Sequence, residues 1–136
     1  MQRIMCKSKI CGLTITHKNL KYEGSIEIPE DIRESADILP GEFVLVVNEC
    51  NGARFNTYVI KGEPCKCGLV GGAARLGEIG DKLIIMSYEL MSTEEAKFHN
   101  TKVVEVDERN NLMSKSVALK VSKFRTRPRV DERFFT

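Results

Sequence analysis

The sequence predicts a mainly β protein, organised as a small barrel of six strands with short flanking helices. Strand-like segments recur along the chain, turn signals separate them, and few stretches have helical patterning. The 136 residues, 42% hydrophobic and 29% charged, are enough for one core and have the composition of an ordinary globular domain.

Six segments carry the strand pattern, in which β-branched and aromatic residues alternate with polar ones. In chain order they are RIMCKSKI, LTITH, FVLVV, RFNTYVI, KLIIMSYEL and KVVEV. The turn signals between them are Pro40-Gly41, Asn51-Gly52, Pro64 with Gly68, and Gly80-Asp81. Many short strands with few helices favour a barrel.

Two short helices are predicted. PEDIRESAD places Pro29 and acidic residues in a first helical turn. STEEAKF has a capping-box pattern, with Ser92 or Thr93 preceding Glu95. A further helical turn is expected at GGAARL.

Composition and charge argue against several classes of protein function. The net charge of +2 gives no electrostatic case for nucleic acid. No apolar run reaches the roughly 18 residues of a membrane helix, and no signal peptide is recognised, so we expect a cytoplasmic protein without a membrane partner. The five cysteines lack zinc-ribbon spacing, so thiols are expected and no metal site is predicted.

The charge is unevenly distributed. Residues 115–136 contain seven Lys/Arg and two Asp/Glu, a net +5, which leaves −3 for residues 1–114. We therefore expect a barrel domain over residues 1–114 and a basic tail over residues 115–136, solvated or loosely docked.

The segment YEGSIEI contains a Gly-Ser pair inside an otherwise strand-like pattern. Taken together with NGARFNTYVI and the lysine of CKSKI, this pair resembles the pyruvoyl-dependent aspartate 1-decarboxylase family. The resemblance covers about residues 1–106, and it is carried by MQRIMCKSKI, LKYEGSIEI, SADILPGE, NGARFNTYVIKGE and GDKLIIMSYELM.

The resemblance implies that the chain cuts itself between Gly24 and Ser25, giving a β chain of residues 1–24 and an α chain of residues 25–136. Ser25 would become a pyruvoyl group, the only cofactor implied. Its ketone can condense with the amine of the substrate as a Schiff base and accept the electrons that CO2 loss leaves on Cα. Glycine lacks a Cβ, so close approach and a strained backbone are expected at Gly24.

The resemblance also gives roles to three residues of one strand. Arg54 is the expected clamp for a substrate carboxylate, because its planar fork matches that group. Thr57 is expected to bind the Gly24 carbonyl during cleavage and to contact substrate. Tyr58 is the expected proton donor to Cα. Without the resemblance, a surface ion pair and two ordinary strand residues would describe them better.

Other residues complete the expected site. Lys9 would supply a second positive charge for a dicarboxylate, and Tyr22 would flank the cut. Gly72, Ala73 and Ala74 would offer backbone N–H groups to an anion at a helix start.

The same resemblance implies a double-psi β-barrel, and a homotetramer with active sites between adjacent subunits. Ideal alternation places Thr57 and Tyr58 on opposite faces of their strand. We therefore expect the site at a sheet edge or between subunits.

Two positions depart from the family pattern. Cys11 stands where the family commonly has a histidine beside the substrate, and residues 71–75, GGAAR, lack the asparagine of the family's NGAAA. His17 and His99 are expected to be surface or core residues rather than catalysts.

We expect decarboxylation of L-aspartate to β-alanine for pantothenate and coenzyme A biosynthesis. Three alternatives remain open: a paralogue that acts on another small acidic amino acid, an uncleaved barrel with a binding or regulatory role, and a thiol protein using Cys11, Cys50, Cys65 and Cys67.

Overall fold

The computed structural model describes residues 1–21, 24–113 and 117–120 of the chain, and this part is mainly β, as predicted. Six of its strands have five or more residues, and three are shorter. In chain order the strands are β1 (Gln2–Thr14), β2 (His17–Asn19), β3 (Ser25–Pro29), β4 (Phe43–Asn48), β5 (Arg54–Gly62), β6 (Gly68–Val70), β7 (Lys82–Ser92), β8 (Asn100–Glu105) and β9 (Val117–Lys120).

Three short helices flank the strands in the described part of the chain, and all three were predicted. Helix α1 (Glu30–Ser35) begins directly after Pro29 and has acidic residues in its first turn. A 3₁₀ helix spans Gly71–Leu76. Helix α2 (Thr93–Lys97) begins with the predicted capping box, in which the hydroxyl of Ser92 and the carboxylate of Glu95 each accept from the other residue's backbone N–H. No helix of the described residues is long and apolar enough to cross a bilayer.

The strands form one sheet in the order β2-β6-β3-β5-β4-β7-β1-β8-β9. Strand β5 connects the two halves of the sheet, because it pairs with a different strand in each half of its length. Its first part, Arg54 to Tyr58, pairs antiparallel with β4. Its second part, Val59 to Gly62, pairs parallel with β3. The change of partner therefore falls between Tyr58 and Val59, beside the start of β3.

Alternation along the strands gives the sheet a core face and an outer face. The core face carries the aliphatic residues with almost no solvent exposure, including Ile10, Ile26, Val44, Val59 and Ile85. One row across the outer face is formed by residues that pair directly across β1, β7, β4 and β5: Lys9, Met86, Leu45 and Asn56. We call this side the outer face throughout.

Beyond the six predicted segments and the strand-like YEGSIEI, two short strands of the described residues, β6 and β9, were not predicted. Strand β6 has only three residues and begins with a glycine, so it carries no periodic signal. Strand β9 lies within residues 115–136, the segment predicted to be a tail, and pairs antiparallel with β8. The sheet thus extends into the basic segment; the rest of the predicted tail lies outside the described residues.

Candidate active site

The Gly24–Ser25 bond lies where the chain enters β3. Ser25 is the first residue of the strand, pairs with Val70 of β6, and is 2% exposed. The hydroxyl of Thr57 lies 3.4 Å from the carbonyl oxygen of Gly24 and donates to it. A hydrogen-bond donor therefore contacts the carbonyl at which the sequence predicts cleavage.

Gly24 lies close to the 3₁₀-helix segment. A Cβ built on Gly24 would meet the backbone nitrogen of Gly72 at 3.8 Å, an ordinary van der Waals distance. This contact brings Gly72 close to the predicted cleavage site.

Strand β5 presents the three predicted residues on two faces. Phe55 packs against the core and Thr57 pairs with core-facing Val44, whereas Arg54 and Tyr58 alternate onto the outer face. Thr57 and Tyr58 therefore lie on opposite faces of β5, as ideal alternation predicts.

Ser25 and Tyr58 are adjacent along the edge of β5. Ile26 pairs with Val59 in the parallel β3–β5 ladder, so the preceding residue on each strand lies next to the other. Both alternate away from the core face. Tyr58 is 36% exposed, which leaves its hydroxyl accessible from the outer face.

Arg54 is exposed, and its guanidinium extends over the outer face of the sheet. Burial raises the pKa of the Tyr88 hydroxyl on β7, and the positive charge of Arg54 opposes that shift. The guanidinium is therefore close enough to β7, two strands away, to act on Tyr88. An exposed guanidinium on an open face is available to an anionic ligand.

Lys9 and Cys11 share the outer face with Arg54 but are not beside it. Cys11 lies in one row with Ile84, Val47 and Arg54, so three strand spacings separate β1 from β5, a backbone distance of about 14 Å. Lys9 lies in a neighbouring row, opposite Met86. Within one chain, the lysine and arginine predicted to bind one substrate therefore start from strands that are three spacings apart.

Cys11 cannot act as the base that a histidine in its place could provide. Burial raises the pKa of its thiol, and the charge of Lys9 opposes this shift only in part. The side chain is therefore a neutral thiol near pH 7, a weak hydrogen-bond donor.

The predicted anion-binding segment forms the start of the 3₁₀ helix. Gly71 has φ +66, a left-handed conformation that favours glycine. Gly72 is exposed, while the side chains of Ala73 and Ala74 are buried. Backbone groups can therefore serve a ligand at residues 71–74, and Gly71 supplies no amide side chain of the kind that the family pattern has.

Tyr22 and the cysteines are the remaining positions considered in the sequence analysis. Tyr22 lies outside the described residues. Within residues 1–21 and 24–113, no group of three or more His, Cys, Asp or Glu side chains could hold a metal ion. Cys67 is fully buried, and burial raises the pKa of its thiol strongly.

One hydrogen bond near the predicted cleavage site was not foreseen from the sequence. Nε2 of His17 donates to Oε2 of Glu27 at 2.6 Å, two residues beyond Ser25. His17 is half-buried, which agrees with the expectation of a surface or core residue, but its partner was not foreseen. No periodicity links positions 17 and 27, and only the placement of β6 between β2 and β3 brings them together.

The chain is similar to known proteins over most of its length. A family model described as aspartate decarboxylase matches residues 1–113. The aspartate 1-decarboxylase of Thermoanaerobacter pseudethanolicus is 52% identical over 112 residues, which are 81% of this chain and 96% of that relative.

Two further relatives show similar coverage. The aspartate 1-decarboxylase of Desulfitobacterium hafniense is 53% identical over 114 residues, 82% of this chain and 89% of the relative. That of Listeria monocytogenes is 50% identical over 115 residues, 82% of this chain and 90% of the relative.

Proposed function

Because the chain belongs to the aspartate decarboxylase family, we propose that it removes the α-carboxyl group of L-aspartate to give β-alanine and CO2. Family membership makes it an amino-acid decarboxylase, a lyase, with the family's double-psi β-barrel fold. Aspartate is the substrate in the names of the relatives. We infer that the product enters pantothenate and coenzyme A biosynthesis in the cytoplasm.

The proposed catalyst is made from the chain itself by cleavage between Gly24 and Ser25. The hydroxyl oxygen of Ser25 attacks the Gly24 carbonyl carbon, and the C–N bond breaks to leave an ester and a free amine. Loss of the Ser25 Cα proton then expels the Gly24 carboxylate, leaving dehydroalanine. One water replaces the nitrogen, one ammonia leaves, and residue 25 ends as a ketone.

The contact between Thr57 and Gly24 is the observation that carries this proposal. When the carbonyl carbon becomes tetrahedral, its oxygen takes negative charge, and a donor already in contact stabilises it. At 3.4 Å the bond is long, and it can shorten as the charge develops. We further propose a catalytic domain over residues 1–114, and the family match, which ends at residue 113, supports this boundary.

The residues present fit a pyruvoyl group at position 25. Ser25 supplies the Cβ oxygen that must leave, and its 2% exposure keeps bulk water from the carbon that becomes the ketone. That ketone supplies an electron sink for the carbanion formed when CO2 departs.

The neighbouring side chains bind substrate and move a proton. Arg54 holds one carboxylate by paired, charge-assisted hydrogen bonds, and Lys9 contributes a second cation for the other carboxylate. Tyr58, adjacent to Ser25, gives the proton that replaces CO2 on Cα. Backbone N–H groups of residues 72–74 are proposed to complete the binding of substrate.

We propose that the active site forms between subunits of a homotetramer. The outer face carries Arg54 and Tyr58, and it also exposes large apolar side chains, including Ile4, Phe43 and Leu90. These three, with Tyr88 and Glu89, line an open cavity of about 240 Å³. Apolar surface of this kind beside functional residues is typical of a face that is covered by another subunit.

Mass spectrometry of the purified protein tests the proposal directly. We expect two chains, divided after Gly24, and a mass gain on the larger chain after borohydride reduction in the presence of aspartate. One uncut species of 15.3 kDa would support a non-catalytic barrel instead. CO2 release should be assayed with aspartate, glutamate, cysteine sulfinate and methylated aspartates, and turnover of another member without aspartate turnover would favour the paralogue.

Replacing Thr57 by valine should slow self-cleavage by about a hundredfold, because the donor to the Gly24 carbonyl is lost while the side-chain shape is kept. The rate is read from intact mass during a time course after rapid purification. Thr57→Ser is the matched control, since it keeps the hydroxyl and should cleave at a similar rate to the wild type. Equal rates for the valine and serine variants would remove Thr57 from processing.

A further inference from the structure

The hydrogen bond between His17 and Glu27 spans a strand that belongs to neither residue. From β2, His17 pairs with Gly68, and from β3, Glu27 pairs with the same Gly68. The imidazole and the carboxylate meet across β6 at 2.6 Å. Since β2 and β3 lie on opposite sides of β6, this bond ties its two neighbours together.

Gly68 leaves the space through which this bond passes. A Cβ at that position would clash with Nε2 of His17 and would lie 2.7 Å from Oε2 of Glu27. Nδ1 of His17 also lies 2.9 Å from the hydroxyl of Thr16, which is itself bonded to the backbone of Cys67. Both ring nitrogens thus have polar partners, which fixes the orientation of the imidazole.

The bond also straddles the proposed cut. Asn19, the last residue of β2, and Ser25, the first of β3, both pair with Val70, so the residues that flank the segment with the proposed cut lie on either side of β6. Cleavage after Gly24 leaves β2 on the N-terminal fragment, and leaves β3 and β6 on the other. The segment that follows His17 then becomes a chain end.

We propose that His17 and Glu27 form a clamp that holds the new end of the N-terminal fragment against β6 after cleavage. This inference rests on the proposed function, because it requires the cut. Both are positioning residues: they keep residues 17–19 of β2 docked against β6, the strand that also pairs with residue 25.

The clamp matters more after cleavage than before it. In the uncut chain, the short connection to β3 keeps β2 near β6 at a high effective concentration, even when a side-chain contact is lost. In the cut protein, the described contacts that retain this end include three residue pairs between β2 and β6 and the backbone hydrogen bond from Thr16 to Cys67. Chain ends with few anchoring contacts fray. Lys18 adds an ion pair to Glu78, whose side chain is 80% exposed.

The surrounding cleft provides a matched control. The clamp lies in a cleft of about 450 Å³, which Glu63 and Lys66 also line. Glu63 pairs with Lys66 at 3.7 Å, and both belong to the C-terminal fragment. Glu63→Gln therefore removes the same charge from the same cleft without affecting a contact between fragments.

Amide hydrogen exchange tests the clamp in cut and uncut protein. Glu27→Gln should raise exchange in peptides containing residues 17–19 by about two- to fivefold in the cut enzyme, the effect of losing a partly exposed charged pair. The same substitution in a Ser25→Ala background, which stays uncut, should change exchange much less. Glu63→Gln should leave these peptides unchanged in both backgrounds.

A second variant separates the two side chains without altering either. Gly68→Ala places a methyl group between them and should give the same difference between cut and uncut protein. If this variant does not fold, Glu27→Gln still decides the question.

Equal exchange in the cut wild type and the cut Glu27→Gln variant would overturn the clamp and leave the proposed function standing. An equal rise in cut and uncut protein would also overturn it, because it would mark an ordinary structural contact. A wild-type protein that is uncut by intact mass would remove the proposed function, and the clamp with it.

Discussion

Replacing Ser25 by alanine leaves a single chain of about 15.3 kDa that neither cleaves nor releases CO2. The reason is the missing hydroxyl oxygen. Without it, no nucleophile attacks the Gly24 carbonyl, and no leaving group is present on Cβ for the elimination that follows. The rate of CO2 release should fall by more than the roughly 10⁶-fold that removal of a catalytic nucleophile costs in other enzymes, since no catalytic group forms. Intact mass and CO2 release measure both losses on one sample.

The fold should survive this substitution, which makes the result interpretable. Ser25 is buried at the start of β3, and alanine removes one oxygen without adding volume. Ser35→Ala, the same change at the end of α1, is the control and should cleave and turn over normally. Detectable cleavage after residue 24 in the Ser25→Ala protein would contradict the proposed chemistry.

Replacing Arg54 by alanine should leave cleavage intact and reduce kcat/KM for aspartate by about a hundredfold or more, because paired hydrogen bonds to a charged group are lost. Cleavage survives because Arg54 lies on the outer face, opposite to the contact between Thr57 and Gly24. Intact mass reports cleavage, and steady-state kinetics report turnover. Arg109→Ala, at an exposed loop arginine, is the matched control and should match the wild type. An Arg54 variant with normal kcat/KM would remove it from substrate binding.

Mixing the two variants tests whether the site is shared between subunits. Co-expressed Ser25→Ala and Arg54→Ala chains should recover activity, because about a quarter of randomly assembled interfaces would combine one intact Ser25 with one intact Arg54. A site contained in one chain gives no recovery, since every chain lacks one of the two residues. That outcome would contradict the proposed inter-subunit site.

The long strands and the helices could be predicted because their signals are local. The segments FVLVV and KLIIMSYEL became β4 and β7 nearly as written, and the capping box at Ser92 marked α2. The segment LTITH was divided: Leu13 and Thr14 extend β1 beyond Gly12, and His17 begins β2. Glycine at φ +87 inside a strand produces an irregularity that alternation alone does not reveal.

The candidate site was only partly accessible from the sequence. The contact of Thr57 with Gly24 was expected from the family resemblance, and the structure has that contact. The wide separation of Lys9 from Arg54 follows from strand order, with β7 and β4 between β1 and β5, which no single segment encodes. The bond between His17 and Glu27 depends on a three-residue strand that propensity could not detect.

Strand β1 has a consequence for the lifetime of the mature protein. It is 13 residues long and lies between β7 and β8, so the shorter product of the proposed cleavage would contribute an interior strand of the sheet. Folding of the uncut chain is a unimolecular reaction, whereas reassembly from two separated fragments is bimolecular and depends on concentration. The proposed cleavage would therefore convert a chain that can refold on its own into a two-chain protein whose lifetime is set by its rate of dissociation and unfolding.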